Sequence, residues 1–168
     1  GFPVWWGREP SIVDTFLDSV NWEGKTIVPV SGLIEGLREI KDEDELSRIT
    51  EAQKLGEKTF LHMLDFIKGG MTELEVAAEL EYFFRKNGAE GLAFSTIAVS
   101  GPNSSYPHGI PGERKLQKGD FLTLDFGCIY KGYCGDMTRT VAIGEPTEEM
   151  RKVYDVVLQA QLNACRNI

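Results

Sequence analysis

Basic residues are in short supply. The chain of 168 residues carries 18 Lys and Arg against 26 Asp and Glu, a net charge of −8. Binding to a phosphate backbone needs the opposite balance, so a nucleic-acid partner is disfavoured. Cysteine is scarce and odd in number, with only Cys128, Cys134 and Cys165. That count argues against a disulfide scaffold and for a reducing compartment, read here as the cytoplasm. Long apolar runs are missing too. None approaches the ~20 residues that cross a bilayer, so no membrane role is read. No basic stretch followed by an apolar one opens the chain, so no export signal is read. Gly1 stands where a Met would start a chain, which suggests a processed end, a tag remnant or a cut. The apolar share of 42% and charged share of 26% are those of a globular protein, not a disordered tail.

What is present reads as a succession of helices, then strands. Residues 1–30 form a short apolar piece. Ile12, Phe16, Leu17 and Val20 recur at helical spacing, and Thr26 to Val30 is a β-branched run. Thirty residues bury little core alone, so this piece reads as the tail of a larger unit. Ser31 to Gly36 reads as a linker. A long helix is predicted from about Asp42 to Lys68, with Leu46, Ile49, Phe60, Met63 and Ile67 on its apolar stripe. Gly69-Gly70 stops it. Thr72 and Glu75 form a capping box for a second helix that carries Val76, Ala77, Leu80, Phe83 and Phe84 and stops at Asn87-Gly88. A strand follows at about Phe94 to Val99, then a loop from Ser100 to Pro111. Phe121–Tyr130 and Tyr133–Ile143 are strands around a Tyr130-Lys131-Gly132 turn. Pro146-Thr147 opens a last helix. This order predicts an α+β fold, with helices on one face of an antiparallel sheet.

The chemistry concentrates near the predicted hairpin. Asp125 is embedded between Leu124 and Phe126, and Asp136 lies just past the turn. A hairpin folded about Tyr130 and Lys131 sets positions 125 and 136 opposite one another. A turn centred one residue later moves the pairing by two positions and still leaves the carboxylates close. Directly opposed Cβ atoms lie ~4.5–5.5 Å apart, where two buried like charges repel. A shared proton, a cationic side chain or a divalent metal must then offset the repulsion. The plainer reading puts one Asp on each solvent face, or pairs an Asp with Arg139. His108, in Ser105-Tyr-Pro-His-Gly109, is either a substrate-positioning or proton-moving group or a loop histidine bonded to a carbonyl. His62 falls off the helical stripe and reads as a solvated surface residue. The cysteine spacing matches no zinc knuckle.

Several motifs together resemble one family. They are Phe94-Ser-Thr-Ile97, Ser100-Gly-Pro-Asn-Ser-Ser-Tyr-Pro-His-Gly109, Lys118-Gly-Asp-Phe121, Leu124-Asp-Phe-Gly127 and Gly132-Tyr-Cys-Gly-Asp-Met-Thr-Arg-Thr140. The family is that of creatinase, prolidase and aminopeptidase P, the pita-bread metallopeptidases. Leu37 to Leu46 resembles the opening of its catalytic domain, and the Met-Thr-Arg-Thr ending resembles the proline-directed branch. The resemblance implies that residues 33–168 form the first, N-terminal half of a pita-bread domain. Residues 1–32 would be the tail of a separate N-terminal domain or a linker.

For the complete protein the resemblance implies two divalent metal ions, manganese or else cobalt or zinc, held by two Asp, one His and two Glu. Asp125 would bind one metal, Asp136 would bridge both, and His108 would contact substrate near the scissile carbonyl. The implied substrate is a peptide with proline at its second position, and the implied assembly a homodimer. The family's His and Glu ligands belong to a second half that does not appear before Ile168. The chain alone is therefore expected to be inactive and to expose a sheet face. The rival reading is a peptidase-like fold used for binding without catalysis. A third idea is symmetric pairing of two such halves.

Overall fold

The computed structural model describes residues 32–167. The helix and strand expected within residues 1–30 lie outside the described residues. The chain divides into two compact units, 1–40 and 41–168. In the first, helix α1 (Leu33–Glu39) starts after Gly32, whose φ is 77°, and buries none of its residues. Of the expected linker at Ser31 to Gly36, residues 33–36 are helical and Ser31 lies outside the described residues. Leu33, Glu35, Leu37 and Arg38 favour helix strongly enough to carry Gly36 within it.

The second unit opens with helix α2 (Glu43–Phe66), capped by a reciprocal box between Asp42 and Glu45. Helix α3 (Glu73–Lys86) has the Thr72–Glu75 box that its sequence predicts. The buried face of α2 is Ala52, Leu55, Gly56, Thr59 and Met63, while Leu46 is 53% exposed. Large apolar residues thus mislocate the stripe at its start. Near Ala52 the strands approach α2 closely, and a Cβ on Gly135 would lie 2.9 Å from the Ala52 carbonyl carbon.

Six strands follow: β1 (Gly91–Leu92), β2 (Ile97–Ser100), β3 (Phe121–Phe126), β4 (Cys128–Tyr130), β5 (Tyr133–Cys134) and β6 (Met137–Ala142). They form two antiparallel three-stranded sheets, β1-β4-β5 and β2-β3-β6. The expected strand at 94–99 begins only at Ile97, and the two long strands break at Gly127 and at Gly135-Asp136. Both breaks sit where backbones cross. A Cβ on Gly127 would collide with the Gly135 carbonyl oxygen.

Along β3 the side chains alternate. Leu122, Leu124 and Phe126 are buried, and pack with Met63 of α2 and with Leu80 and Phe84 of α3. The Phe126 ring lies 6.5 Å from Phe60 and 6.0 Å from Phe84. Each such aromatic or aliphatic burial is worth roughly 1.5–3 kcal/mol. Phe121, Thr123 and Asp125 face the other way. Helix α4 (Glu148–Arg166) is capped by the Thr147 hydroxyl, buries no residue, and meets that second face through Tyr154, 6.3 Å from Phe121.

His62 departs from its expected place in solvent. Its ring stacks on Phe83 of α3 at 4.0 Å, and Nε2 lies 2.6 Å from Glu79 Oε1. The ring is apolar on its faces and polar at its edge, so it fills a helix–helix seam that a stripe of purely apolar residues does not reveal.

Candidate active site

The turn that fixes the site is Lys131-Gly132. Both residues have positive φ, 47° and 79°, as a two-residue type I′ turn requires. It closes Tyr130 onto Tyr133 and Ile129 onto Cys134, and the same register continues as Phe126 with Met137. Gly127 therefore stands opposite Asp136, and Asp125 opposite Thr138. The turn lies one residue beyond Tyr130-Lys131, so the two carboxylates are offset by two positions rather than directly opposed. They remain on the same face.

Each aspartate is held by a neighbour, Asp125 through its carboxylate and Asp136 through its backbone. Thr138 Oγ1 donates to Asp125 Oδ1 at 2.8 Å. Gln53 Nε2 of α2 donates to the backbone carbonyl of Asp136 at 2.9 Å. Asp125 is half-buried and Asp136 exposed. Arg139, the partner offered by the plainer reading, stands opposite Leu124 on the helix-covered face, with its guanidinium 5.8 Å over Phe60. It therefore projects away from the face that carries Asp125.

A cavity of about 420 Å³ opens on the face that carries Asp125, and Asp125, Asp136 and His108 all line it. Phe94, Ile97, Ile110 and Pro111 supply apolar wall. His108 is exposed and sits in the loop after a short 3₁₀ turn, Gly101–Ser105. The loop lies against β2: a Cβ on Gly109 would come 2.9 Å from Val99 Cγ1. The three residues singled out in the sequence thus come from β3, from the β5–β6 junction and from a loop, and share one cavity.

Two carboxylates beside an imidazole are the donor chemistry of divalent-metal hydrolases. Hard cations take about six oxygen ligands. Among the described residues no three His, Cys, Asp or Glu side chains are grouped to hold a metal ion by themselves. The donors fit such an ion in kind and supply part of its shell.

Sequence reading missed Thr138, Gln53 and Glu73. The first follows once Lys131-Gly132 is taken as a two-residue turn. The other two leave no local signal, because they act across 83 and 27 or more positions.

The model of metallopeptidase family M24 matches residues 47–168, and the chain belongs to that family. A flavodoxin model matches residues 1–55, less than half of the chain. An uncharacterized peptidase of Bacillus subtilis, YqhT, is 45% identical over 135 residues, covering 80% of this chain and 38% of that protein. The Xaa-Pro dipeptidase of Pyrococcus furiosus is 37% identical over 154 residues, 92% of this chain and 44% of that protein. Among solved structures, the prolidase from Pyrococcus furiosus superposes with a TM-score of 0.83 at 36% identity, covering 90% of this chain and 44% of that one. The X-Pro aminopeptidase from Thermotoga maritima gives 0.78 at 43% identity, covering 82% and 39%. The fold is accordingly the α+β first half of a pita-bread domain, and the chain spans about two-fifths of the length of the relatives it matches.

Proposed function

We propose that the whole protein is a dinuclear-metal peptidase that removes an N-terminal residue from before proline, as an Xaa-Pro dipeptidase or aminopeptidase. The observation that carries this is the convergence of Asp125, Asp136 and His108 on one cavity with apolar walls. The chain's similarity to the Xaa-Pro dipeptidase of Pyrococcus furiosus and the X-Pro aminopeptidase of Thermotoga maritima supports it. In this reading Asp125 would help hold one metal ion and Asp136 would serve both, with manganese the expected ion and cobalt or zinc the substitutes. The ions, when bound, supply an activated water and a polarised amide carbonyl.

The chain's own residues do the rest. Thr138 fixes the rotamer of Asp125, and Gln53 fixes the backbone that presents Asp136. His108 orients the substrate near the scissile carbonyl. Phe94, Ile97 and Pro111 exclude water from one side of the substrate. Residues 1–32 belong, in the same reading, to the end of an N-terminal domain. The setting is the cytoplasm, and the complete protein is a homodimer.

The test is turnover of an Xaa-Pro dipeptide and of a longer Xaa-Pro peptide by the whole protein with added Mn²⁺. Loss of turnover in both Asp125→Asn and Asp136→Asn is expected. Full activity in either variant overturns the assignment. The 168-residue chain alone is expected to be inactive, and enzyme-like turnover by it would refute that.

A further inference from the structure

We propose that Glu73 is a positioning residue, a buried carboxylate that fastens both ends of the His108 loop and so holds the imidazole over the cavity. The inference rests on the peptidase reading of that cavity. Glu73 is fully buried, at the first position of α3. Its Oε1 accepts the Ser100 N–H at 2.7 Å and the Ser100 hydroxyl at 2.8 Å. Its Oε2 accepts the Gly112 N–H at 3.1 Å. Asn103 Nδ2 lies 3.3 and 3.4 Å from the two oxygens. Ser100 ends β2 and Gly112 ends the loop, so one carboxylate closes the segment that carries His108.

The far side of the loop is tied to α3 as well. The Glu73 N–H donates to the Arg114 carbonyl at 3.0 Å and the Leu74 N–H to the Gly112 carbonyl at 3.2 Å. These carbonyls satisfy helix-end donors that would otherwise be orphaned. The near side is locked by Arg114, whose Nη1 donates to Ser100 Oγ at 2.6 Å and to Asp120 Oδ2 at 2.6 Å. The Ser100 hydroxyl is thus committed at both its donor and its acceptor. A buried carboxylate is costly without donors and positive potential, and here the donors, the helix N-terminus and Arg114 supply both.

A carboxylate is needed because donors approach both of its oxygens. An amide offers one acceptor oxygen. In Glu73→Gln that oxygen serves Ser100, and the amide NH₂ then faces the Gly112 N–H, donor against donor. The substitution therefore releases the Gly112 end selectively.

The experiment is amide hydrogen exchange, followed by NMR, on the 168-residue chain with and without Glu73→Gln. Gly112 is expected to exchange about tenfold faster or more in the variant, with Ser100, Leu80 and Leu124 changing little. The His108 ring signals should shift while those of His62 hold. Uniform acceleration at all four amides, or no change at Gly112, overturns the proposal. If the variant fails to fold, the unmodified chain decides, since a Gly112 amide exchanging at a free-peptide rate also overturns it. A Mn²⁺ arm separates the two readings. Broadening of the Thr138 and Asp136 amides by Mn²⁺ in the whole protein supports the metal site, and its absence there defeats the peptidase reading alone. Where Mn²⁺ binds, the His108 ring should broaden less in the variant than in the unmodified chain, and equal broadening defeats the positioning role.

Discussion

Asp125 and Thr138 face one another across β3 and β6, and the threonine hydroxyl donates to Asp125 Oδ1 at 2.8 Å. One carboxylate oxygen is thereby fixed and the other left to the cavity. Partners of this kind set ligand orientation, and their loss typically costs about 10–100-fold in metal affinity. Thr138→Val keeps the shape and removes the donor. If Asp125 holds a metal ion as proposed, the Mn²⁺ affinity of the whole protein, followed by EPR titration, should fall by roughly that factor in the valine variant, and Thr138→Ser should restore most of it. An unchanged affinity in the valine variant would show that the hydroxyl is irrelevant to the ligand.

Gly135 and Gly127 bring the site's strands into contact with α2 and with each other. Gly135→Ala puts a methyl group 2.9 Å from the Ala52 carbonyl carbon, against backbone that cannot swing aside. Overpacking of this kind costs about 1–3 kcal/mol. Urea unfolding should show that loss for Gly135→Ala and a larger one for Gly127→Ala. A neutral result at Gly135 would mean that the strand retreats freely from the helix.

The Arg114–Asp120 pair gives an acid-side dependence. Burial raises the Asp120 carboxyl, but the hydrogen bond from Arg114, the Gln117 N–H and the Arg114 charge together outweigh it, so the group sits below its ordinary value of 3.8. A carboxyl lowered on folding contributes stability above 3.8 that is lost as pH falls through the folded value. Asp120→Asn should cost about 1–3 kcal/mol at neutral pH, because it leaves Arg114 without its anion. Urea midpoints measured from pH 6 down to pH 3 should converge for the two proteins. Parallel curves throughout would remove Asp120 as the source.

The thiols should separate kinetically. Burial, with a smaller contribution from Cys134, pushes the Cys128 thiol up to about 11, whereas Cys134 and Cys165 are exposed. Iodoacetamide at pH 8 should alkylate Cys134 and Cys165 readily and Cys128 only on unfolding, since the thiolate is the nucleophile. Mass spectrometry showing Cys128 modified first would contradict its burial.

The sequence makes the helices legible because their caps are local. Asp42 and Thr72 each sit three residues before a glutamate, and both boxes form. The cavity trio was legible through motifs and through the parity of β3. The register was not, because it depends on whether Lys131 accepts a positive φ, a cost of turn strain that residue type alone does not decide. The buried face of α2 was also hidden, since Ala52 and Gly56 face the sheet for the room they leave, not for their hydrophobicity. Glu73 carries no sign of burial in the sequence, and only the return of residues 100–112 makes it a core residue.

The alternation of β3 has a consequence for how this protein tolerates change. Positions 122, 124 and 126 answer to the packed core, while on the opposite face 125 answers to the cavity and 121 to helix α4. A six-residue ribbon thereby keeps two sets of requirements apart by parity. Substitutions that retune the open side need not disturb the packed side, and errors on either side would show up as different defects, poor yield in one case and lost chemistry in the other.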